Sequence, residues 1–443
     1  MEYKNDKGEF ISFIKAGLGD KENNHVDVCL KRVTKPVTEK FLNDRADLYK
    51  TDVDNDSELM EAFRRLAFIC NEKEQECYEC PVSKYCNTYI ENARKNVSDD
   101  SLKMLDLFCG AGGLSLGFTQ EGFVTSLAND IQDCCVDTYA HNHPETPRDH
   151  IVLGDIKDVV KNLDELLAGR NVDIVVGGPP CQGFSMANRQ RLIDDPRNHL
   201  YKSYVEVVKK VHPKFFVMEN VKGMLTLNKG AFVKDLLKRF GEDGLGYTIS
   251  YQLLNAADYG IPQNRYRVFY VGIKNKKFIF PEPFDYKLTA KDGISDLEGA
   301  TQEKYGSEPQ NEYQKAMRGN TKKPLNQDYT AHTEKTISII SQVPDGGNIR
   351  DLPEEIWHVR KYNKAFERMG TFKPSNTIDT GHRNYFHYSE PRIPTVRESA
   401  RIQSFPDSFE ILGTRGSQYK QVGNAVPPML AKIIAETIKT ELV

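Results

Sequence analysis

The order of short apolar runs after residue 100 constrains the fold of this chain most strongly. Runs rich in β-branched and aromatic residues predict strands, and helical spacing separates several of them, as at Tyr201–Val211 and Ala231–Phe240. The predicted strands are Met104–Phe108, Val124–Asn129, Asp173–Gly177, Phe215–Glu219, Thr248–Leu254 and Tyr266–Ile273. This alternation predicts an α/β fold with a mostly parallel sheet covered on both faces. A loop joins the last two strands, which are therefore predicted to pair antiparallel at one edge.

Segments of different composition divide the 443 residues into an expected two or three folding units. Residues 1–100 are acidic, with 16 Lys and Arg against 21 Asp and Glu. Residues 101–273 carry the predicted strands. Residues 274–371 lack periodicity and are rich in Lys, Asn, Gln, Gly and Pro, which predicts a second, smaller domain or a large insertion. Helical spacing returns at Thr395–Phe405 and Pro428–Ile438.

Charge and apolar patterning exclude several classes of protein. The formal net charge of −3 argues against a uniformly basic nucleic-acid binder, although His358–Arg397 contains 8 Lys and Arg against 3 Asp and Glu, enough for a local phosphate-binding face. No apolar run approaches the roughly 20 residues that span a bilayer, and the first residues lack a signal-peptide pattern, so we expect a soluble, cytoplasmic protein. Nine cysteines favour reduced thiols, a metal site or a catalytic thiolate over disulfides.

A glycine-rich turn follows the first predicted strand. Asp106–Gly113 reads Asp-Leu-Phe-Cys-Gly-Ala-Gly-Gly, and Asp130 ends the second predicted strand, where an acidic side chain can hold ribose hydroxyls. The spacing is not that of a dinucleotide fingerprint, and no basic residue follows to meet a pyrophosphate. The pattern therefore favours a nucleoside cofactor without phosphates, and a tight turn with no ligand is the alternative.

A second loop presents a cysteine at the end of a predicted buried strand. Gly177–Ser185 reads Gly-Gly-Pro-Pro-Cys-Gln-Gly-Phe-Ser and places Cys181 where open α/β sheets bind their ligands. Cysteine is a strong nucleophile once its thiolate is favoured. The loop favours a catalytic thiol over a buried structural one, which is the usual role of a lone cysteine.

Three charged residues are further candidates for the site. Glu219 ends an apolar strand, where partial desolvation is expected to raise its pKa and allow proton donation near neutral pH. An ordinary surface or capping acid is the alternative. Arg265 and Arg267 open the last strand with their side chains on one side, so they can bind a phosphate, carboxylate or carbonyl, or form a solvated edge.

In this order these motifs resemble those of the bacterial DNA (cytosine-5) methyltransferases. The resemblance includes Met-Glu-Asn-Val, Gln-Asn-Arg-Tyr-Arg, Arg397–Asp407 and Gln421–Pro428, and it covers the chain from about Lys103 to the end, except the irregular middle segment. It implies a Rossmann-like S-adenosylmethionine-dependent methyltransferase fold with seven strands. Residues 274–371 would then be the target-recognition domain, and 372–443 would return to the catalytic domain of 101–273.

The resemblance also implies roles for individual residues. The implied catalytic residues are Cys181, Gln182, Glu219, Arg265 and Arg267. The implied cofactor-binding residues, with Phe108 on the adenine and Asp130 on the ribose, are Phe108, Gly110, Gly112, Gly113, Leu114, Asp130, Ile131, Asp155, Ile156, Pro179, Asn424 and Ala425. Asp130 replaces the more usual Glu of the family, which keeps the charge and shortens the reach.

The implied activity is methyl transfer from S-adenosylmethionine to carbon 5 of a flipped-out cytosine in double-stranded DNA, through a covalent adduct with Cys181. The chain would be the modification enzyme of a restriction–modification system, paired with an endonuclease, or an orphan methylase, and a monomer on DNA. A transfer-RNA cytosine-5 methyltransferase and a non-catalytic DNA-binding regulator are the alternatives. The transfer-RNA branch carries a Cys-Phe-Thr signature that is absent here, and the intact candidate residues argue against a regulator.

Four cysteines cluster in the front segment. Cys70, Cys77, Cys80 and Cys86 have the spacing C-x6-C-x2-C-x5-C, which is a signal for a metal site. The spacing is similar to the iron–sulfur loop of endonuclease III and MutY-like DNA glycosylases, which implies a [4Fe–4S] cluster. A four-cysteine zinc site and unligated thiols remain alternatives. Helical spacing in Leu59–Ile69 predicts a small, mainly helical domain that the metal would fasten.

Overall fold

The computed structural model describes residues 101–180, 200–241, 244–359, 366–381 and 385–441. The chain divides into two compact units between Asp99 and Asp100, and every described residue belongs to the second unit. The predicted metal ligands and two predicted catalytic residues lie outside the described residues: Cys70, Cys77, Cys80, Cys86, Cys181 and Gln182. The predicted domain boundaries at 273 and 371 remain predictions.

A seven-stranded sheet forms the centre of the described unit. In chain order its strands are β1 (Lys103–Leu107), β2 (Val124–Asp130), β3 (Ile151–Leu153), β4 (Ile174–Gly177), β5 (Phe215–Val221), β6 (Tyr247–Asn255) and β7 (Tyr266–Lys274). Across the sheet they lie in the order β3-β2-β1-β4-β5-β7-β6. Strands β1 to β5 pair in parallel, whereas β7 runs antiparallel to both β5 and the edge strand β6. The predicted mostly parallel sheet with antiparallel pairing at one edge is confirmed.

Alternating residues of the strands face two separate apolar layers. On β4, Ile174 and Val176 belong to one core cluster and Val175 to the other, as expected for a strand buried on both faces. The six predicted strands agree with observed strands to within two residues at each end. Strand β3 was not predicted, because a run of three residues carries too little periodicity to be recognised.

Helices cover both faces of the sheet. They are α1 (Gly113–Gln120), α2 (Asp133–Asn142), α3 (Ile156–Lys161), α4 (Leu163–Leu167), α5 (Leu200–Val211) and α6 (Ala231–Phe240). Helix α6 has the predicted bounds, and α5 begins one residue before the predicted start. Helices α3 to α6 supply apolar side chains to one layer, and α1 supplies Leu114 and Phe118 to the other.

The rest of the described chain follows β7. It contains α7 (Ala290–Ile294), α8 (Glu312–Arg318), α9 (Glu334–Gln342), a pair of short parallel strands β8 (Glu367–Arg368) and β9 (Tyr385–Phe386), α10 (Val396–Ile402), α11 (Arg415–Asn424) and α12 (Pro428–Thr440). None of the helices in the described ranges is long and apolar enough to cross a bilayer.

The irregular middle segment shares its apolar core with the C-terminal part. Ala290 and Ile294 of α7 pack in one cluster with Ile402 and Phe405. A second small cluster joins Ile340 of α9 to Phe386 and other residues. Phe278 and Phe280 pack into the core of the large sheet. The apolar side chains of residues 274–371 are therefore divided among three clusters that also contain residues outside this segment.

The end of the chain packs against the first helix of the fold. Helix α12 lies on α1, where Gly117 leaves no space for a side chain: an added Cβ would lie 2.5 Å from the Pro428 carbonyl oxygen and 2.6 Å from the Ala431 Cβ. Glycine therefore permits the close approach of the two helices. Ile434 and Ile438 of α12 complete the apolar layer that begins with Phe118.

We expect Gly117→Ala to destabilise the protein by roughly 1–3 kcal/mol, because the methyl group must displace the backbone of α12. Gly416→Ala is the matched control, because it also lies in a helix but has open space around the added Cβ. The control should be neutral or stabilising by up to about 1 kcal/mol. Urea-unfolding midpoints measure both effects, and equal midpoints for the two variants would contradict the assigned helix contact.

Candidate active site

Two loops meet at the carboxyl edge of the sheet where the strand order reverses. Strands β1 and β4 are neighbours, with Leu107 opposite Gly177, and their continuations lead to the glycine-rich turn and to Gly178-Pro179-Pro180. Crevices at such a switch point are the ligand sites of open α/β sheets. Most of the predicted site residues lie on or beside these two loops.

The glycine-rich turn is held by the carboxylate of Asp130. Phe108 and Gly110 have φ angles of 58° and 54°, so the chain turns sharply after β1. The Gly110 N–H donates to Asp130 Oδ2 at 2.9 Å, and the Gln132 N–H donates to Oδ1 at 2.9 Å. Burial raises the pKa of Asp130, and the two N–H groups oppose that rise by favouring the ionised form. The acidic group thus shapes the turn and stands at the end of β2.

Apolar side chains are exposed beside this carboxylate. Ile131 is 65% exposed and Leu153, at the end of β3, is 51% exposed. Exposed apolar residues at neighbouring strand ends suit a planar, apolar ligand group. Leu153 was not identified from the sequence; its place directly before the Gly-Asp-Ile motif was the available signal. The side chains of Leu114 and Ile156 instead pack in the two cores, so only their backbones can face a ligand.

Two further predicted contacts have local structural roles. The Asp155 side chain caps α3 by accepting from the Lys157 N–H at 2.8 Å. An added Cβ on Gly112 would lie 2.7 Å from His143 Nε2, so the turn packs closely on α2 and the residue that follows it. The Cβ position of Gly110, by contrast, has no heavy atom within 4 Å. The open side of the turn is therefore at Gly110.

A buried carboxyl group lies beneath the turn. Asp106 on β1 is fully buried, and its Oδ2 accepts from the Ser115 hydroxyl at 2.6 Å, which in turn accepts from the Tyr139 hydroxyl at 2.8 Å. Desolvation by burial raises the pKa of Asp106 to about 7. This chain of hydrogen bonds joins β1, α1 and α2 directly below the glycine-rich turn.

Glu219 and Arg267 form a buried ion pair at the carboxyl end of β5. Arg267 Nε lies 2.8 Å from Glu219 Oε1, and Glu219 is 8% exposed. Burial raises the pKa of Glu219 above its ordinary value, while Arg267 and Arg265 pull it down. The predicted upward shift is confirmed. A Cβ placed on Gly178 would lie 2.9 Å from Glu219 Oε2, so the carboxyl group adjoins the start of the Pro179-Pro180 loop.

Asn220 fixes the loop that leads to Cys181. Its Nδ2 donates to the Pro179 carbonyl at 2.9 Å, and its Oδ1 accepts from the Val221 N–H at 2.8 Å. Pro179 is buried, and its carbonyl is the part of the residue that Asn220 holds. The sequence prediction gave Asn220 no role, although a polar residue within an otherwise apolar strand was a usable signal.

The two arginines take different partners, which the alternation along a strand did not predict. Arg267 binds Glu219, whereas fully buried Arg265 donates through one terminal nitrogen to the Gly423 and Ala425 carbonyls, both at 2.8 Å. Arg265 precedes the first residue of β7, so strict alternation does not apply to it. In the described structure the hydrogen-bond partners of its guanidinium belong to the C-terminal segment, whereas its backbone N–H donates to Asn255 Oδ1 at 3.0 Å.

The C-terminal segment returns to the glycine-rich turn. A Cβ on Gly113 would lie 3.4 Å from the Ala425 Cβ and would overlap the Val426 carbonyl, so these residues are in close contact. Asn424, the last residue of α11, is exposed next to them. Residues from β1, β2, β3 and the end of α11 thus surround one crevice, and Glu219 and Arg267 lie beyond the β4 loop.

The side chains of this crevice suit a nucleoside without a phosphate, whose aromatic base would lie against exposed apolar side chains. Asp130 supplies a carboxylate for hydroxyl groups, and Ile131 and Leu153 supply exposed apolar surface. The turn carries no cation of its own; Lys420, whose Nζ donates to Gln132 Oε1 at 3.2 Å, approaches from α11. Within the described ranges, no group of three or more His, Cys, Asp or Glu residues is arranged to hold a metal ion.

The seven-stranded, mostly parallel sheet with its antiparallel edge is the fold of the S-adenosylmethionine-dependent methyltransferases. The model of the family described as C-5 cytosine-specific DNA methylase matches residues 102–440. The chain therefore belongs to the C-5 cytosine-specific DNA methylases and is a DNA cytosine-5 methyltransferase with S-adenosylmethionine as methyl donor. The family match does not include the first 101 residues.

Curated relatives and a solved structure agree with this family. The chain is 40% identical over 343 residues to the type II methyltransferase M1.HphI of Haemophilus parahaemolyticus, covering 76% of this chain and 87% of the relative. It is 32% identical to the type II methyltransferase M.AgeI of Thalassovita gelatinovora, covering 77% and 100%. A putative DNA modification methyltransferase encoded within an E. coli prophage is similar in structure, with a TM-score of 0.64, 25% identity and coverage of 77% and 99%.

Proposed function

We propose that this enzyme is the modification methyltransferase of a type II restriction–modification system and that Cys181 is its nucleophile. The observation that carries the proposal is the buried Glu219–Arg267 pair beside the loop that leads to Cys181. A proton donor with a raised pKa is what a cytosine needs when a thiolate attacks it. Named type II methyltransferases among the relatives support the restriction–modification role. A cognate endonuclease acting on the same site is part of this proposal.

The proposed chemistry divides a difficult substitution into easier steps. Carbon 5 of cytosine is a weak nucleophile. The Cys181 thiolate forms a bond to carbon 6 while Glu219 donates a proton, or a strong hydrogen bond, to ring nitrogen 3, so that carbon 5 gains the electron density of an enamine. S-adenosylmethionine supplies an electrophilic methyl group. Methyl transfer to carbon 5 releases S-adenosylhomocysteine. Loss of the carbon 5 proton to a water molecule, return of the nitrogen 3 proton to Glu219 and expulsion of the Cys181 thiolate then restore the aromatic ring.

Arg267 and Asn220 position the reacting groups in this proposal. Arg267 holds Glu219 through Oε1, which leaves Oε2 on the Gly178 side for the base. Asn220 fixes the Pro179 carbonyl and with it the entry to Gln182 and Cys181. Small displacements of an attacking atom are costly in rate, so a rigid entry to the loop favours catalysis.

The cytosine must leave the duplex for a thiolate and a methyl donor to reach its two faces. Beside the site, Lys222 follows β5 and its Nζ lies 5.4 Å from the ring centroid of Tyr266, which is 45% exposed. We assign this cation and ring to the DNA backbone next to the extruded base. Residues 274–371 remain the proposed target-recognition domain, with the basic stretch within His358–Arg397 beside it. The proposed form on DNA is a monomer.

The proposed cofactor site uses the crevice beside the glycine-rich turn. Asp130 would accept hydrogen bonds from the ribose hydroxyls, and Ile131, Phe108 and Leu153 would flank the adenine. Asn424 would complete the site from the C-terminal side. Backbone groups of Gly110, Gly112, Gly113, Leu114, Asp155, Ile156, Pro179 and Ala425 would supply the remaining contacts.

Replacement of the nucleophile gives the decisive test of the function. We expect DNA from a methylation-free host that expresses the wild-type protein to carry 5-methylcytosine at one sequence, as read by bisulfite sequencing. Cys181→Ser should lower the rate of methylation at least about 10²-fold, because the attacking thiolate is removed. Binding of DNA and cofactor should persist, because only the attacking group is changed. Purified protein should methylate duplex DNA and not transfer RNA. Substantial methylation by Cys181→Ser, or a preference for transfer RNA, would contradict the proposal.

The ion pair predicts a shift in the pH profile of kcat/KM. If protonated Glu219 is the donor, the rate falls as pH rises through the pKa of Glu219. Arg267 lowers that pKa, so Arg267→Gln should move the alkaline fall to higher pH, although the maximum rate also drops. Glu219→Gln should lower the rate by about 10²–10⁴-fold and remove this limb of the profile. An alkaline limb at the wild-type pH in Arg267→Gln would exclude Glu219 as the titrating group.

We also propose that Cys70, Cys77, Cys80 and Cys86 hold a metal centre, with a [4Fe–4S] cluster ahead of a zinc ion. The support is the spacing of the four cysteines alone. Protein purified without oxygen should contain about four iron and four sulfide per chain, because each of four thiolates ligates one iron of such a cluster. Cys77→Ser should lose most of the metal. Stoichiometric zinc without sulfide would select the zinc site, and absence of both metals would refute a metal centre.

A further inference from the structure

The C-terminal end of α11 is held by two buried side chains from distant parts of the sequence. The last carbonyls of a helix have no partner within the helix and must be satisfied by other groups when they are buried. Here the carbonyls of Val422, Gly423 and Ala425 accept from Gln403 and Arg265, both of which are fully buried. The guanidinium also complements the negative end of the helix dipole.

Gln403 contributes three hydrogen bonds to this arrangement. Its Nε2 donates to the Val422 carbonyl at 2.9 Å and to the Ala425 carbonyl at 3.0 Å. Its Oε1 accepts from Nε2 of Gln263, which is also fully buried. Gln403 follows α10 directly, so it joins the α10 segment to the end of α11.

The held carbonyls flank a single exposed residue. Asn424 lies between Gly423 and Ala425, both of whose carbonyls are bound by Arg265. The neighbouring Ala425 and Val426 are in contact with Gly113 of the glycine-rich turn. The backbone on both sides of Asn424 is thus immobilised against the turn, while its side chain is exposed beside the crevice.

We propose that Gln403 and Arg265 are positioning residues for the methyl donor. Their hydrogen bonds to the carbonyls of Val422, Gly423 and Ala425, which we call the clamp, place Asn424 at the edge of the cofactor crevice. This inference rests on the proposed contact between Asn424 and the cofactor. It replaces the catalytic role that the resemblance implies for Arg265 with a positioning role, because the carbonyls that its guanidinium binds lie next to Asn424. Arg267, two residues away, holds Glu219 on the base side.

The test is a comparison of cofactor and DNA affinities for single variants of the full chain. Gln403→Ala removes both carbonyl bonds, and we expect it to raise the dissociation constant for S-adenosylhomocysteine about tenfold, measured by calorimetry without DNA, where a factor of ten corresponds to 1.4 kcal/mol. The dissociation constant for unmethylated duplex DNA, measured by fluorescence anisotropy, should stay at the wild-type value. The KM for S-adenosylmethionine should rise with little change in kcat.

Two companion variants separate positioning from loss of stability. Gln418 lies in the same helix, α11, and its Nε2 donates to the Ile411 carbonyl at 2.9 Å. Gln418→Ala removes this hydrogen bond and leaves those of Gln403 and Arg265 in place, so its cofactor affinity should equal that of the wild type. Asn424→Ala removes the proposed contact itself and should weaken cofactor binding while the clamp remains. If Gln403→Ala does not fold, Arg265→Lys makes the same test, because the lysine side chain ends one bond short of the terminal nitrogen that donates to both carbonyls.

Each outcome decides the proposal. Wild-type cofactor affinity in Gln403→Ala, with weak binding in Asn424→Ala, would overturn the clamp and leave the assignment of Asn424 intact. Equal losses of cofactor and DNA affinity in Gln403→Ala, or an equal loss of cofactor affinity in Gln418→Ala, would show a purely structural role. Wild-type affinity in Asn424→Ala would also overturn the proposal, because Asn424 would then make no cofactor contact for the clamp to position.

Discussion

The packing of α12 on α1 closes the fold, and the site depends on it. Gly113 and Gly117 allow the backbone of residues 426–431 to approach α1 closely, and Leu430, Ile434 and Ile438 fill the apolar layer over the sheet. This contact joins parts of the chain that are about 310 residues apart in sequence, at a loop-closure cost that grows only slowly with length. Because the closure brings Ala425 and Val426 to the glycine-rich turn, the proposed cofactor site is complete only when both ends of the described unit are folded.

Buried arginines connect the segments that lie between these ends. Arg401 of α10 binds Asp296 and Asp407, and Arg397 donates to the carbonyls of Leu325 and Pro406. A buried charge is tolerated only when its donors are satisfied, so each arginine holds its partners in a defined arrangement. The irregular middle segment is thereby fixed to the C-terminal part through polar contacts as well as through the cluster shared by Ile294 and Ile402. Arg265 is likewise fully buried, and one of its terminal nitrogens donates to two carbonyls at the end of α11.

Sequence reasoning identified the strands and motifs more accurately than the contacts among them. Six strands and α6 were recognisable because apolar periodicity is a local property of the chain. Strand β3 was too short to show it. The raised pKa of Glu219 was also foreseeable, since a carboxyl group at the end of an apolar strand is desolvated. The partner of Arg265, by contrast, is about 160 residues away in sequence, and no local pattern encodes such a distance.

The roles of Gln403, Asn220 and Leu153 illustrate the same limit. Asn220 differs locally only as a polar residue in an apolar strand, and Leu153 only by its place before Gly-Asp-Ile. The role of each of the three depends on neighbours that the tertiary structure brings close. The sequence by itself determined the alternation of strands and helices, the chemical types at the site and their order along the chain, because these follow from side-chain chemistry and short-range periodicity. Only the tertiary structure decided which arginine meets Glu219 and which binds the carbonyls at the end of α11, because hydrogen-bond partners are selected by three-dimensional proximity.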